Sequence, residues 1–247
     1  MNKKSKNEKT EVYDLHTFNS ENLLARFAHH SRYKLGLKLI NVNKNVLDFG
    51  CGDGRFLNEL FEKKNIGELI GYEPYMESDI FKNISIFKEW PEILAKSKKL
   101  GGFDNVVCFE VLEHLNIKNQ IKLLNRVHKV IKENGVFIIS VPIEKGLPAL
   151  VKNLRRIIIH YDPNVYNFKN IFASILGKKT KWMKEHRKEE IYLSHSGFFF
   201  DELEQVLSQT FSIEERKFSP FNGFGYNLNS QVFYILRKKS RPRRGRD

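Results

Sequence analysis

Between residues 46 and 141, short apolar runs alternate with stretches whose apolar positions recur at helical spacing. Val46–Phe49, Leu69–Tyr72, Ile84–Phe87, Asn105–Phe109 and Val136–Val141 are mostly apolar and short, which predicts strands buried on both faces. The segment Arg55 to Lys63 predicts a helix, and Ile117–Ile131 a second one closed by Gly135. Upstream, Leu23, Leu24, Phe27, Tyr33, Leu37 and Ile40 predict a helix over 19–40, capped by Asn19 or Ser20. Strand–helix alternation of this kind predicts an α/β fold: a mostly parallel sheet with helices on both faces.

The pattern breaks after Pro142. Residues 144–195 are basic and aromatic without a clear strand, which predicts a helical insertion after the fifth strand. Within it, the apolar stretch Leu154 to Tyr161 carries Arg155 and Arg156. It is expected to be a buried lid helix, the alternative being a helix resting on a membrane surface. Alternation resumes with a helix over Asp201–Thr210 and strands over Phe211–Phe218 and Gln231–Leu236. The Gly- and Asn-rich loop Ser219–Ser230 between those strands predicts an antiparallel pair. The chain thus divides into a flexible lead (1–18), a single domain (19–238) and a basic tail (239–247).

Composition narrows this picture modestly. The chain has 247 residues, 41% of them hydrophobic, enough for a real core. No apolar run approaches the roughly 20 residues of a membrane span, and the Lys-rich start has no apolar signal core, so a cytoplasmic protein without stable membrane insertion is expected. Cys51 and Cys108 fit a reducing compartment, with neither a disulfide nor a metal site expected from them. The net charge of +13 lies partly in the two ends. A second basic cluster, from Lys178 to Lys188, reads first as a solvated face and second as a contact for an anionic acceptor.

The chemistry concentrates at Val46-Leu47-Asp48-Phe49-Gly50-Cys51-Gly52-Asp53-Gly54. A strand running into alternate glycines and then a helix lets a ligand approach the backbone and meet the helix's first N–H groups. A dinucleotide fingerprint, G-x-G-x-x-G, fails because Arg55 stands at its third glycine. The turn reads G-x-G-x-G instead. Glu73 ends the second strand about 20 residues on, where a carboxylate can accept hydrogen bonds from ribose hydroxyls.

These residues resemble the class I S-adenosylmethionine-dependent methyltransferases over roughly residues 20–142, through VLDFGCGDG, IGYEP, FDNVVCFEVLEHL and KENGVFIISVP. The resemblance implies a Rossmann-like seven-stranded sheet with an antiparallel C-terminal strand. It also implies S-adenosyl-L-methionine as cofactor and S-adenosyl-L-homocysteine as product. It assigns Asp48, Gly50, Gly52, Asp53 and Gly54 to the methionine part, Glu73 to the ribose, Glu89 and Trp90 to the adenine region, and Glu110 to the cofactor's neighbourhood. His114, after the fourth strand, is the first candidate general base, and His195, after the insertion, the second.

For the acceptor, HSGFFFDELEQVL, the segment FSPFNGFGYNLNSQVFYILRKK and the stretch Arg26 to Tyr33 look like methyltransferases of bacterial surface-glycan biosynthesis. That similarity implies O-methylation of a sugar, a nucleotide-linked sugar or a phosphate-bearing precursor of capsule or lipopolysaccharide. Arg155, Arg156, Lys181 and Arg187 are the candidate phosphate contacts, and Tyr161, Tyr166, Tyr226, Asn227 and Asn229 the candidate pocket lining. A nucleic-acid acceptor ranks second: Glu110, Glu113, His114 and His195 resemble the divalent-metal site of small-RNA 2′-O-methyltransferases, although no metal is expected. A non-catalytic cofactor-binding subunit ranks third, against the intact glycine and acidic motifs.

Overall fold

Seven strands form one sheet in the computed structural model, which describes residues 23–64, 66–75, 81–159, 167–186, 195 and 197–239. In chain order the strands are β1 (Val46–Phe49), β2 (Leu69–Tyr72), β3 (Ser85–Phe87), β4 (Phe103–Phe109), β5 (Ile131–Pro142), β6 (Phe211–Ser219) and β7 (Gln231–Lys238). Their order across the sheet is β3-β2-β1-β4-β5-β7-β6. β1 through β5 pair in parallel, and β7 runs antiparallel to both β5 and β6. The antiparallel pair expected near the C-terminus is therefore present.

The apolar runs explain the placement. Every residue of β1 and β2 is buried, as interior strands covered on both faces require, whereas β3 at the edge is short and partly exposed. On one face pack α1 (Leu23–Leu39) and α2 (Arg55–Lys63) through Tyr33, Leu37, Phe56, Leu57 and Leu60. On the other lie α3 (Trp90–Leu100), α4 (Ile117–Val130) and α8 (Phe200–Thr210), through Trp90, Ile93, Leu124, Val127, Leu203 and Leu207. The chain runs outward from β1 to β3, then crosses back to β4 beside β1. That reversal opens a crevice at the carboxyl ends of β1 and β4, the usual ligand position in such sheets.

The insertion is helical, as expected: α5 (Gly146–Ile159), α6 (Phe168–Ile175) and α7 (Lys181–His186). Of the stretch expected as a buried lid, Leu154 to Tyr161, only the Leu154 side chain is described; it is exposed, as are Leu147 and Val151 earlier in α5. Tyr161, Tyr166 and Arg187 lie outside the described residues, as do Asn19 and Ser20, the expected caps, and most of the two tails.

Two further boundaries differ from the sequence reading. α4 stops at Val130, and Ile131 already pairs with Phe103. The register then shifts before Asn105 pairs with Val136. Gly135 therefore closes no helix; it sits inside β5, where a Cβ would come within 2.4 Å of Ile131 Cγ1. The helix α3 was not foreseen. Its lysines hide a narrow apolar stripe, and its start is marked by Glu92 accepting from the Glu89 N–H at 3.4 Å, with Pro91 in the first turn.

Candidate active site

The glycine turn folds back because its residues adopt backbone angles that side chains resist. Gly50, Gly52 and Gly54 have φ of 80°, 55° and 83°. Gly50 donates its N–H to Tyr72 O at 2.8 Å, which ties the turn to β2. A Cβ on Gly50 would come within 2.5 Å of Val111 Cγ2, so the turn lies directly against the segment that follows β4.

Three carboxylates surround this turn, all buried: Asp48, Asp53 and Glu73. Glu73 accepts from the Gly52 N–H at 3.2 Å and from the Tyr75 N–H at 3.0 Å, so its position is set by the backbone of both loops. Asp53 accepts from the Arg55 N–H at 3.0 Å and pairs with the Arg55 guanidinium at 3.0 Å, which fastens the first turn of α2. Glu89 stands at the start of α3. Trp90 is buried, 5.7 Å from the Phe49 ring and 5.3 Å from the Tyr72 ring, with the Arg126 guanidinium 5.2 Å above it. Cys51 and Cys108 are buried free thiols whose pKa burial pushes well up.

The left-handed glycines leave the backbone open, a buried carboxylate stands at the end of β2, and the N-cap of α2 is a glycine, with Asp53 taking the Arg55 N–H. These features fit a cofactor with a ribose and a charged amino-acid end.

Glu110, at the end of β4, has φ 56°, an uncommon conformation for a residue with a side chain. It is held from three sides. Its N–H donates to Ser140 O at 2.9 Å, Ser140 Oγ donates to its Oε1 at 3.2 Å, and Arg32 of α1 stands 3.7 Å from Oε2. Glu110 therefore joins β4, β5 and α1, and is not one of the close group formed by Glu113, His114 and His195.

His114 and His195 do meet. Their Nε2 atoms lie 3.3 Å apart, and the ring centroids 4.8 Å. His114 sits on a single 3₁₀ turn, Leu112–His114, just beyond the Val111 that touches Gly50. His195 is held by a turn in which its carbonyl accepts from the Phe198 N–H at 3.0 Å, and by Gly197, whose left-handed backbone packs against Met183 of α7. Glu113, fully buried, places Oε1 3.9 Å from both Nε2 atoms. One atom from each of Glu113, His114 and His195 falls within 4.8 Å of the others, a spacing that could hold a divalent cation.

Glu144 completes the group and was not singled out in the sequence. Its Oε1 lies 3.4 Å from His195 Nδ1 and 3.2 Å from Lys152 Nζ. Lys152 also donates to Ile143 O at 3.0 Å and Ser230 O at 3.3 Å, bracing the end of β5. The only local signal was position: Glu144 follows the carboxyl end of a strand. Asn229, expected in the acceptor pocket, instead spends its amide on the β6–β7 loop. It accepts from the Phe221 N–H at 2.6 Å and donates to Phe221 O, Phe224 O and Gly225 O. Lys181 is exposed, and the side chains of Arg155 and Arg156 lie outside the described residues.

Residues 20–191 match a family model described as a methyltransferase domain. The uncharacterized protein MJ1252 of Methanocaldococcus jannaschii is 26% identical over 170 residues, covering 66% of this chain and 59% of that protein. Among solved structures, PH0226 from Pyrococcus horikoshii OT3 superposes with a TM-score of 0.54 at 16% identity, covering 94% of this chain and 99% of the other. The plantazolicin methyltransferase BpumL, solved with a pentazolic desmethylPZN analog and SAH, superposes with a TM-score of 0.53 at 13% identity, covering 95% and 92%. At these identities the superpositions show the fold.

Proposed function

The chain belongs to the methyltransferase-domain family, and we propose that it is an S-adenosylmethionine-dependent O-methyltransferase. Its acceptor in this reading is a sugar, a nucleotide-linked sugar or a phosphate-bearing precursor of capsule or lipopolysaccharide. The observation that carries the O-methyl assignment is the pair His114 and His195, 3.3 Å apart and backed by Glu144.

S-adenosylmethionine, when bound, supplies a methyl group already activated by the positive charge on sulfur. Gly50, Gly52 and Gly54 would hold its amino-acid end and Glu73 its ribose. The remaining task is to orient an acceptor hydroxyl and remove its proton. A carboxylate 3.4 Å from His195 Nδ1 favours the tautomer protonated there, which leaves Nε2 as an acceptor. His195 is then the base, oriented by Glu144, and His114 the donor opposite it. The two Nε2 atoms, 3.3 Å apart, are within hydrogen-bond distance of each other, so the acceptor hydroxyl takes the place of this contact at His195 Nε2 and gives its proton there. Alignment of such a hydroxyl contributes up to roughly 7–11 kcal/mol in favourable cases.

Transfer of tritiated methyl groups tests the reading. Nucleotide-sugars or glycan precursors should acquire label, and label confined to RNA would overturn the acceptor class. The Glu113–His114–His195 cluster favours a second reading, metal-assisted 2′-O-methylation of RNA, in which a cation would bind vicinal hydroxyls and acidify the attacking one. Turnover unchanged after chelation would eliminate it.

A further inference from the structure

On their described side chains, the insertion helices α5 and α6 expose large apolar residues and bury polar ones, Ala149 being the small apolar exception. A surface helix normally buries its apolar stripe and exposes its polar one. In α5, Leu147, Val151 and Leu154 share one face and are exposed, while Asn153 is buried. In α6, Phe168 and Phe172 are exposed, as is Leu176 just beyond it, while Asn170 and Ser174 are buried. Phe168 is 84% exposed, and its ring lies nearly parallel to that of Phe172, 6.1 Å away. The inward polar face has its own bonds. Thr180 Oγ1 donates to Asn170 Oδ1 at 2.8 Å, and Lys152 reaches Ile143 O, Glu144 and Ser230 O beneath α5. Rotating either helix to bury its apolar side would break those contacts. α5 and α6 pack against each other, so their outward faces belong to one projecting unit.

We propose that this unit docks on an anionic lipid bilayer, with the apolar faces of α5 and α6 entering the interface and lysines meeting the headgroups. Charge selects this occupant. Residues 146–184 hold eight Lys and Arg against a single acidic residue, Asp162; of the eight, Lys152 turns inward onto Glu144 and Lys179 pairs with Glu202. Lys169 and Lys178, exposed beside Phe168 and Leu176, and Lys181, on the next helix, rim the apolar residues on the described part. An amphipathic surface with apolar side chains and a basic border is the form that lies on anionic membranes without crossing them. No described helix is long and apolar enough to cross one. A second copy of the chain would bring two such basic surfaces together, which repel. α5 begins two residues after Glu144, so docking would place the acceptor side of the histidine pair close to the bilayer.

Docking is read without any acceptor, so it stands or falls separately from the acceptor class. The full chain is sedimented with vesicles of phosphatidylcholine alone and of phosphatidylcholine mixed equally with phosphatidylglycerol. The wild-type protein should sediment with the mixed vesicles and stay in solution with the neutral ones. Phe168→Ser combined with Phe172→Ser should weaken binding at least about tenfold. Lys169→Glu should weaken it several-fold, more at low salt than at high. Unchanged calorimetric affinity for S-adenosylmethionine marks each variant as folded, and the single Phe168→Ser replaces the double variant if that one is not. Wild-type protein left in solution with both vesicles, or a folded variant that sediments like wild type, overturns the proposal. So does a concentration-dependent dimer that Phe168→Ser dissociates.

Discussion

Glu144 and His195 come from opposite ends of the helical insertion and meet 3.4 Å apart, with Lys152 on the far side of the carboxylate. The insertion thereby closes a loop on itself, and its two ends supply both the imidazole and the group that orients it. Glu144→Gln should lower kcat about 10- to 100-fold while leaving cofactor affinity and acceptor KM near wild type. Steady-state kinetics with calorimetry check this, and Glu144→Asp should recover part of the loss. An unchanged kcat in the Gln variant would remove the orienting role.

The two histidines should separate in single-turnover experiments. His195→Ala should slow methyl transfer roughly 10²–10⁴-fold, the range for loss of a general base. His114→Ala, which loses a hydrogen-bond donor, should slow it about tenfold. The reverse ranking would make His114 the base.

Glu73 holds two loop N–H groups in addition to the ribose role assigned to it. Glu73→Ala should weaken S-adenosylmethionine binding by roughly 1.5–3 kcal/mol. Glu73→Gln, which retains one acceptor oxygen, should lose less. Equal calorimetric affinities in wild type and the Ala variant would show that the ribose is held elsewhere.

His29 is buried against Tyr33, with ring centroids 4.5 Å apart. Burial, reinforced by Arg32, holds its pKa down from 6.5 to about 3. Above pH 6.5 both folded and unfolded chains carry it neutral. As the pH falls toward 3, the unfolded chain binds a proton that the folded one refuses, so stability should drop by about 1.4 kcal/mol per pH unit in that window. Urea unfolding across the range should show this slope, and His29→Gln should flatten it.

The glycine turn and the elements around it were legible because their pattern is local. Val46 to Gly54 states a strand, a left-handed turn and a helix start in consecutive residues, and β1, α2 and β2 follow the bounds their patterns predict. His114 and His195 were also singled out, but Glu144 was not, because it joins them only through tertiary folding across the insertion. Glu110 and Glu113 illustrate the difference. Three residues apart in one motif, they diverge because the left-handed backbone at Glu110 turns one carboxylate toward Arg32 and leaves the other beside the histidines. The insertion's orientation was equally hidden, since the periodicity of α5 and α6 identifies an apolar face without saying whether it turns inward.

The placement of β7 between β5 and β6 has a consequence for synthesis of the chain. Until the ribosome has delivered residues 231–238, the β5 edge that carries Ser140 and leads to Glu144 has no neighbour, and β6 has none to join. That open edge is a template for wrong pairing. The strand that covers it is the last described one to be made, so the edge beside Glu144 closes only at the end of synthesis.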